Sequence, residues 1–306
     1  MLLCGTKSAV LHAQHITNTL GISGLFKIKD NANTYFTLTQ SNGYIELTKS
    51  LKLQATTDLN TGVIYKGLNY FIHNYEKAGS IGDNTFVGIN AGNFTLGSAT
   101  FADGSSNTAV GYFALNKLTT GYGNTAIGTY SLTSNTSGNS NVAIGNFTLQ
   151  NNTTGTNMIA IGTEALYSNT TGANNIAIGY VALNGNTTGL NNISLGAGSL
   201  NTNTIGWDNV AIGTHSLDNN VSGDRNVGVG SSSLTDCSGD NNTSLGYSSA
   251  STLTTGSNNT VIGYNAQSST TTVSNQITLG NNSISSLRCN VQTITSLSDA
   301  RDKKNI

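Results

Sequence analysis

Apolar residues along most of this chain come in short clusters, each tied to a glycine. Aligned on the glycine that closes each Ala-Ile-Gly-like triplet, the anchors are Gly88, Gly111, Gly128, Gly145, Gly162, Gly179, Gly196, Gly213, Gly230, Gly246, Gly263 and Gly280. They are spaced 23 residues apart once, then 17 seven times, then 16, 17 and 17. One unit runs from Asn141 to Asn157, and the next two keep its Ile-Gly, Leu, Asn-Thr-Thr-Gly and Asn positions. A fixed period of this kind marks a stacked repeat. Seventeen residues are too few for a helical hairpin, and Asn-Thr-Thr-Gly is turn chemistry, with the glycine expected at positive φ. Two short runs lie between turns, Val142-Ala143-Ile144 and Phe147-Thr148-Leu149, and each fits a short strand. The predicted unit is therefore a coil of two strands and two turns, stacked into a narrow parallel β-solenoid.

Alternation along a strand puts Val142 and Ile144 on one side and Ala143 on the other. Leu132, Leu149, Leu166, Leu183, Leu200 and Leu217 recur four residues after the anchor glycine. Ile, Val and Leu are accordingly expected inside the coil. Each such side chain contributes about 1.5–3 kcal/mol when buried, while ordering costs on the order of 1 kcal/mol per residue. A coil this thin is marginal alone, so another surface must cover it. The opposing column reads Ala109, Ala126, Ala143, Ala160, Ala177, Ser194, Ala211, Gly228, Ser244, Val261 and Thr278. A solvent face has no reason to select Ala so regularly. The column is expected to be the contact between neighbouring subunits, although crowding within the strand also favours small residues.

Two asparagine columns accompany the strand. One precedes it (Asn107, Asn124, Asn141, Asn175, Asn192, Asn209, Asn226, Asn242, Asn259) and one opens the turn (Asn135, Asn152, Asn169, Asn186, Asn203, Asn220). At strand spacing their amides are placed to bond along the ladder. Several form Asn-x-Ser/Thr acceptor sequences, which repetition of a turn motif explains better than glycan attachment does.

The Asn-x-Ala-Ile-Gly-x-x-Ser/Ala-Leu unit resembles the head repeats of trimeric autotransporter adhesins of the YadA type, over roughly residues 84 to 285. The resemblance implies a left-handed parallel β-roll that works as a homotrimer. The family unit is usually shorter, so the 17-residue coil implies a longer turn at Asn-Thr-Thr-Gly. Similar longer units occur in phage and large-virus fibres. A second resemblance covers Leu297 to Ile306, which looks like the opening of the intramolecular chaperone domain of endosialidase-type tailspikes. That likeness implies self-cleavage of a precursor between Ser298 and Asp299, with Ser298 as nucleophile and Lys303 as its base. The helical body of such a chaperone is not in the sequence.

The N-terminal part differs, holding 11 of the 27 charged residues in its first 80. Tyr35 to Leu47 reads as a hairpin around Ser41-Asn42-Gly43, with further strands at Leu25–Ile28 and Leu51–Leu53. Tyr70 to Tyr75 is expected to cap the open end of the first coil. Three regions follow: 1–80, a β-rich attachment and capping domain; 81–285, the repeat shaft; and 286–306, a stub leading towards the chaperone. Composition narrows the classes. Among 306 residues, 44 Thr, 34 Ser and 43 Asn accompany 36 Gly and no Pro, and the net charge is −1. There is no basic surplus to suit nucleic acid, no run of about 20 apolar residues, and no leader of charged then apolar residues. Cys4, Cys237 and Cys289 are odd in number and far apart, which suits neither disulfides nor zinc.

Candidate chemistry is sparse. His12 and His15 lack a third ligand, so no metal site is expected, and no cofactor motif appears. Glu164 is the single Glu of the repeat region, and Asp208, Asp218, Asp224, Asp236 and Asp240 sit in turns rather than around a cleft, against a glycan-degrading tailspike. Thr153-Thr154 and its equivalents are adjacent and point opposite ways, against an ice-binding face. The sequence thus predicts an all-β chain with no enzymatic role beyond autocleavage of a precursor. It is expected to be a homotrimeric β-roll fibre with a small N-terminal β-rich domain, a tail or surface fibre of a virion. The N-terminal part would join the particle, and the shaft would meet a host receptor or glycan. A trimeric adhesin on a bacterial cell surface is the alternative.

Overall fold

The computed structural model describes residues 25–29, 34–39 and 44–47 as backbone strands, and residues 63–75, 81–94, 96, 103–286 and 288 with their side chains. The chain divides into two units, Met1–Gln54 and Ala55–Ile306. No helix occurs among the described residues. In the first unit, β1 (Leu25–Lys29), β2 (Thr34–Thr39) and β3 (Tyr44–Leu47) form an antiparallel sheet in the order 1-2-3. Phe36 lies opposite Leu47 and Thr39 opposite Tyr44, which gives the two arms of the expected hairpin. Its Ser41-Asn42-Gly43 turn and the strand expected at Leu51–Leu53 lie outside the described residues.

The second unit holds a 14-stranded sheet. It opens with the hairpin of β4 (Ile64–Lys66) and β5 (Asn69–His73), turned at Gly67-Leu68 with Gly67 at φ 65°. The solenoid rungs follow: β6 (Thr85–Val87), β7 (Thr108–Val110), β8 (Thr125–Ile127), β9 (Val142–Ile144), β10 (Ile159–Ile161), β11 (Ile176–Ile178), β12 (Ile193–Leu195), β13 (Val210–Ile212), β14 (Val227–Val229), β15 (Thr243–Leu245), β16 (Thr260–Ile262) and β17 (Ile277–Leu279). From β6 onward each pairs in parallel with the next, equivalent residue on equivalent residue, as in Ala143 with Ala160 and Ala160 with Ala177. β5 runs antiparallel against β6 and closes the first rung, as the capping expectation required. These two strands continue the solenoid's sheet, so the solenoid body starts before residue 81.

Each strand stops at its anchor glycine for two reasons. At Gly162 the backbone takes φ 129°, and an added Cβ would stand 2.4 Å from the carbonyl oxygen of Gly179 on the next rung. No side chain fits where rungs approach this closely. The glycine of Asn-Thr-Thr-Gly is a different case: Gly155 does not take the positive φ expected of it, and close stacking alone selects it, with Gly172 O 2.3 Å from its Cβ position.

The run after the anchor is a turn, not the second strand expected. Phe147 (φ 58°) and Leu149 (φ 51°) are both left-handed, and the pattern recurs at Glu164 and Leu166 and at His215 and Leu217. Left-handed backbone costs a non-glycine residue about 1–2 kcal/mol. It persists because the amides of the turn still join the ladder: Phe147 N donates to Thr129 O at 2.9 Å and Leu149 N to Ala165 O at 3.1 Å. Complete burial of the leucine offsets the rest.

Burial also inverts the expected faces. Ala109, Ala126, Ala143, Ala160, Ala177 and Ala211 are all 0 % exposed inside the coil. Their Val and Ile neighbours point outward, as Ile144, Ile178 and Ile212 show. From β7 to β15 the strand's inner side holds only Ala, Ser or Gly, and larger residues stand there only towards the ends, as Phe86 in β6 and Val261 in β16. Across the interior stands another small column (Ala114, Ser131, Thr148, Ala165, Ala182, Ser199), also buried. Beside it the Leu column fills the core from Leu115 to Leu234.

Candidate assembly surface

The outward residues of β7 to β17 make a continuous apolar face. Val110, Ile127, Ile144, Ile178, Ile212, Leu245 and Ile262 are exposed in one column. A second column two residues earlier carries Val142, Ile159, Ile176, Ile193 and Val210, all partly accessible, and gives way to Thr at β7, β8, β15 and β16. β-Branched side chains suit a pleated strand and hold it extended. A parallel sheet, however, is ordinarily covered on both faces, and this one is covered on its inner face alone within a single chain. The alanines expected to meet other subunits are enclosed by their own coil and present no surface to them. The outward face passes to Val and Ile.

Inside the coil the asparagines do the polar work. Asn141 Oδ1 accepts the backbone N–H of Met158 at 3.1 Å, while Asn141 Nδ2 donates to Asn124 Oδ1 at 3.0 Å and to Gly155 O at 2.9 Å. In the turn column Asn169 Nδ2 donates to Asn152 Oδ1 at 2.9 Å and to Gly172 O at 3.1 Å. Buried amides need such partners on every side. Their nitrogens are consumed, so the Asn-x-Ser/Thr sequences at Asn135, Asn152, Asn169 and Asn186 offer nothing to a glycan in the folded chain. Cys237 takes the next place in that column after Asn220. It is buried and free, with burial pushing its thiol up to about 11.

The acidic residues brace neighbouring rungs. Asp208 Oδ1 accepts from Asn191 Nδ2 at 2.9 Å, Asp224 Oδ1 from Trp207 N at 3.0 Å, Asp236 Oδ1 from Asn219 Nδ2 at 2.7 Å and Asp240 Oδ1 from Asp224 N at 2.9 Å. Asp218 pairs instead with His215 on its own rung, Nδ1 to Oδ2 at 2.7 Å. Thr153 donates its hydroxyl to Thr170 O at 3.0 Å while Thr154 is exposed, so the paired threonines do point apart. Among the described residues no group of three His, Cys, Asp or Glu could hold a metal. His12, His15, Cys4, Cys289, Ser298, Asp299 and Lys303 lie outside the described residues.

One cluster escaped the sequence reading. His73 is buried at the capped end, stacked on Phe94 at 4.3 Å and close to Phe86 and Tyr70. Its Nε2 donates to Ala91 O at 2.8 Å and its Nδ1 accepts from Tyr75 N–H at 3.3 Å, so the neutral ring is fully partnered. Burial pushes its pKa down to about 4, against a smaller opposing pull from the Ala91 carbonyl. The aromatic spacing Tyr70, His73, Tyr75 was the available signal. Comparison with protein-family models, curated proteins and solved structures finds no match to the chain.

Proposed function

We propose that this chain is the shaft of a homotrimeric fibre on a virion, mediating attachment to a host surface. The observation that carries the reading is the exposed Val and Ile face of a solenoid whose inner face is closed by its own coil. A large contiguous apolar patch marks an interaction surface. The partner whose apolar columns match it rung for rung is a second copy of the same chain, because both share the axial repeat. Three thin coils facing one another would bury all three sheets around a common axis. The attachment role, the virion location and the closed threefold arrangement rest on the likeness to adhesin head repeats and fibre proteins. On the same ground, Ser298 and Lys303 would cut a precursor that carries the chaperone domain between Ser298 and Asp299.

Light scattering on the purified chain tests the assembly. The expected mass is about 95 kDa, three times the 31.6 kDa chain. Ile144→Asp with Ile178→Asp, two outward positions, is expected to yield folded monomer, since a charge in a buried contact goes unpaired. A stable monomer from the parent chain, or an unchanged trimer from the double variant, would overturn the reading.

A further inference from the structure

On the face that follows the anchor glycines, three rungs carry an aromatic ring in the same column. Phe113 and Tyr130 stack at 5.7 Å, and Tyr130 and Phe147 stack at 5.7 Å with 11° between their planes. The column ends there, because the next rung holds Glu164 instead of a ring. Phe147 therefore has a ring neighbour on one face and turns the other towards the Glu164 rung. At this step lies a groove of about 440 Å³ lined by Phe147, Gln150, Glu164, Tyr167 and Asn184. All five are partly buried. Gln150 Oε1 is buried and has no hydrogen-bond partner. Asn184 is held by its Nδ2 bond to the Glu164 backbone carbonyl at 3.0 Å.

We propose that this groove binds a neutral pyranoside. An orphaned buried acceptor costs about 1–3 kcal/mol, which a ligand donor would recover once the Gln150 side chain, which lines the groove, turns its Oε1 towards it. Gln150 Oε1 and the Glu164 side chain stand on successive rungs, so the ligand must bring at least two separated donors. It must also bring a flat face of C–H bonds for the open side of Phe147, since an aromatic face is electron-rich. A sugar ring supplies both: hydroxyls around its rim and an apolar face. A single ammonium group would satisfy one acceptor and finds one open ring, not a cage. The volume lies within the range of about 300–1,000 Å³ typical of small-ligand sites and suits one or two sugar units. Columns before and after lack the combination, with Tyr130 and Phe147 closing the stack on one side and Val181 following Glu164 on the other. Among the described residues this column offers the combination once, at this site. Its biological purpose rests on the fibre reading, as the point where the shaft meets a host glycan, but its chemistry does not.

Saturation-transfer NMR on the full chain tests it with methyl glycosides of glucose, galactose and N-acetylglucosamine, alongside N-acetyl-lysine methylamide. Transfer to the ring protons of at least one glycoside is expected. Glu164→Gln, which keeps size and shape, should weaken binding about tenfold, as loss of a hydrogen bond to a charged group implies. Phe147→Ala should abolish it, while Phe113→Ala, two rungs away, should not change it. Transfer to none of the glycosides, equal transfer in Glu164→Gln and Phe147→Ala, or transfer to the lysine derivative alone would overturn the proposal. Light scattering on the same samples keeps the two readings apart. A monomer that binds sugar retains the groove and loses the fibre, and a trimer that binds none does the reverse.

Discussion

The inner and outer sides of one three-residue strand make an instructive contrast. In β10 the outward residues are Ile159 and Ile161 and the inward one is Ala160, which is 0 % exposed. Ranked by hydrophobicity alone the order should be reversed. Along the middle rungs room decides first: an interior one small side chain deep on each side admits Ala opposite Ala or Ser, and the larger apolar groups are displaced outward, whereas β6 and β16 near the ends take Phe86 and Val261 inside. The core volume is supplied instead by Leu166 and its equivalents, from the turn.

The contrast is broken most forcefully by exchanging sizes. Ala160→Leu should lower the unfolding midpoint sharply, since overpacking costs about 1–3 kcal/mol at a site with no free volume. Leu166→Ala should cost about 2–5 kcal/mol through the cavity it leaves. Ile161→Ala should leave the thermal stability of an isolated chain nearly unchanged. Denaturation curves on the three variants check this, and an equal loss at Ile161 would mean the outer face contributes to the fold of one chain.

The period, the coil length, the anchor glycines and the capping segment were all legible in the sequence, because each repeats or interrupts a fixed spacing. The side assignment was not, since Val142, Ala143 and Ile144 alternate identically whichever face is inside. Nor was the second run: Phe147 and Leu149 have the composition of a strand, and only the geometry of closing a 17-residue coil forces them left-handed. The groove at Glu164 was invisible for another reason. Its lining residues come together only when rungs are stacked, and Glu164 in isolation reads as a solvated turn acid.

A second contrast sets the capped end against the middle of the shaft. The cap depends on a titratable ring, whereas the buried ladder of the middle rungs rests on asparagine amides that do not titrate. His73 is neutral in the folded chain, with a pKa of about 4 instead of 6.5. The unfolded chain therefore binds a proton first as pH falls. Stability is full above about 6.5, declines between 6.5 and 4, and levels off below, for a loss of about 3 kcal/mol at most. Hydrogen exchange should show β4 and β5 opening over that window while β11 to β13 stay protected. His73→Phe should remove the pH dependence, and a uniform response along the shaft would erase the contrast.

A further substitution sharpens the comparison within the middle. Asn192 accepts from Asn209 N and Nδ2 at 3.0 and 3.1 Å and donates to Asn175 Oδ1 and Gly206 O at 3.1 and 2.8 Å. Asn192→Ala strands these partners and should cost about 1–3 kcal/mol, measured by denaturant titration. Met158 already occupies one place in this column, so an apolar residue is sterically admissible. No loss at Asn192 would reduce the ladder to filler.

The direction of the hydrogen bonds has a mechanical consequence. Strands, turns and side-chain amides all send bonds from one rung to the next, and these ladder bonds lie along the axis, while others such as Asn169 Nδ2 to Gly172 O close a single coil. A pull on the two ends of the shaft loads the rung boundaries in series, while within each boundary the backbone and amide bonds share the tension in parallel. Extension should therefore proceed as a ladder of nearly equal rupture events, one coil of chain released at each step. The boundary next to Met158, where the amide line is interrupted, is the natural place for the first to yield.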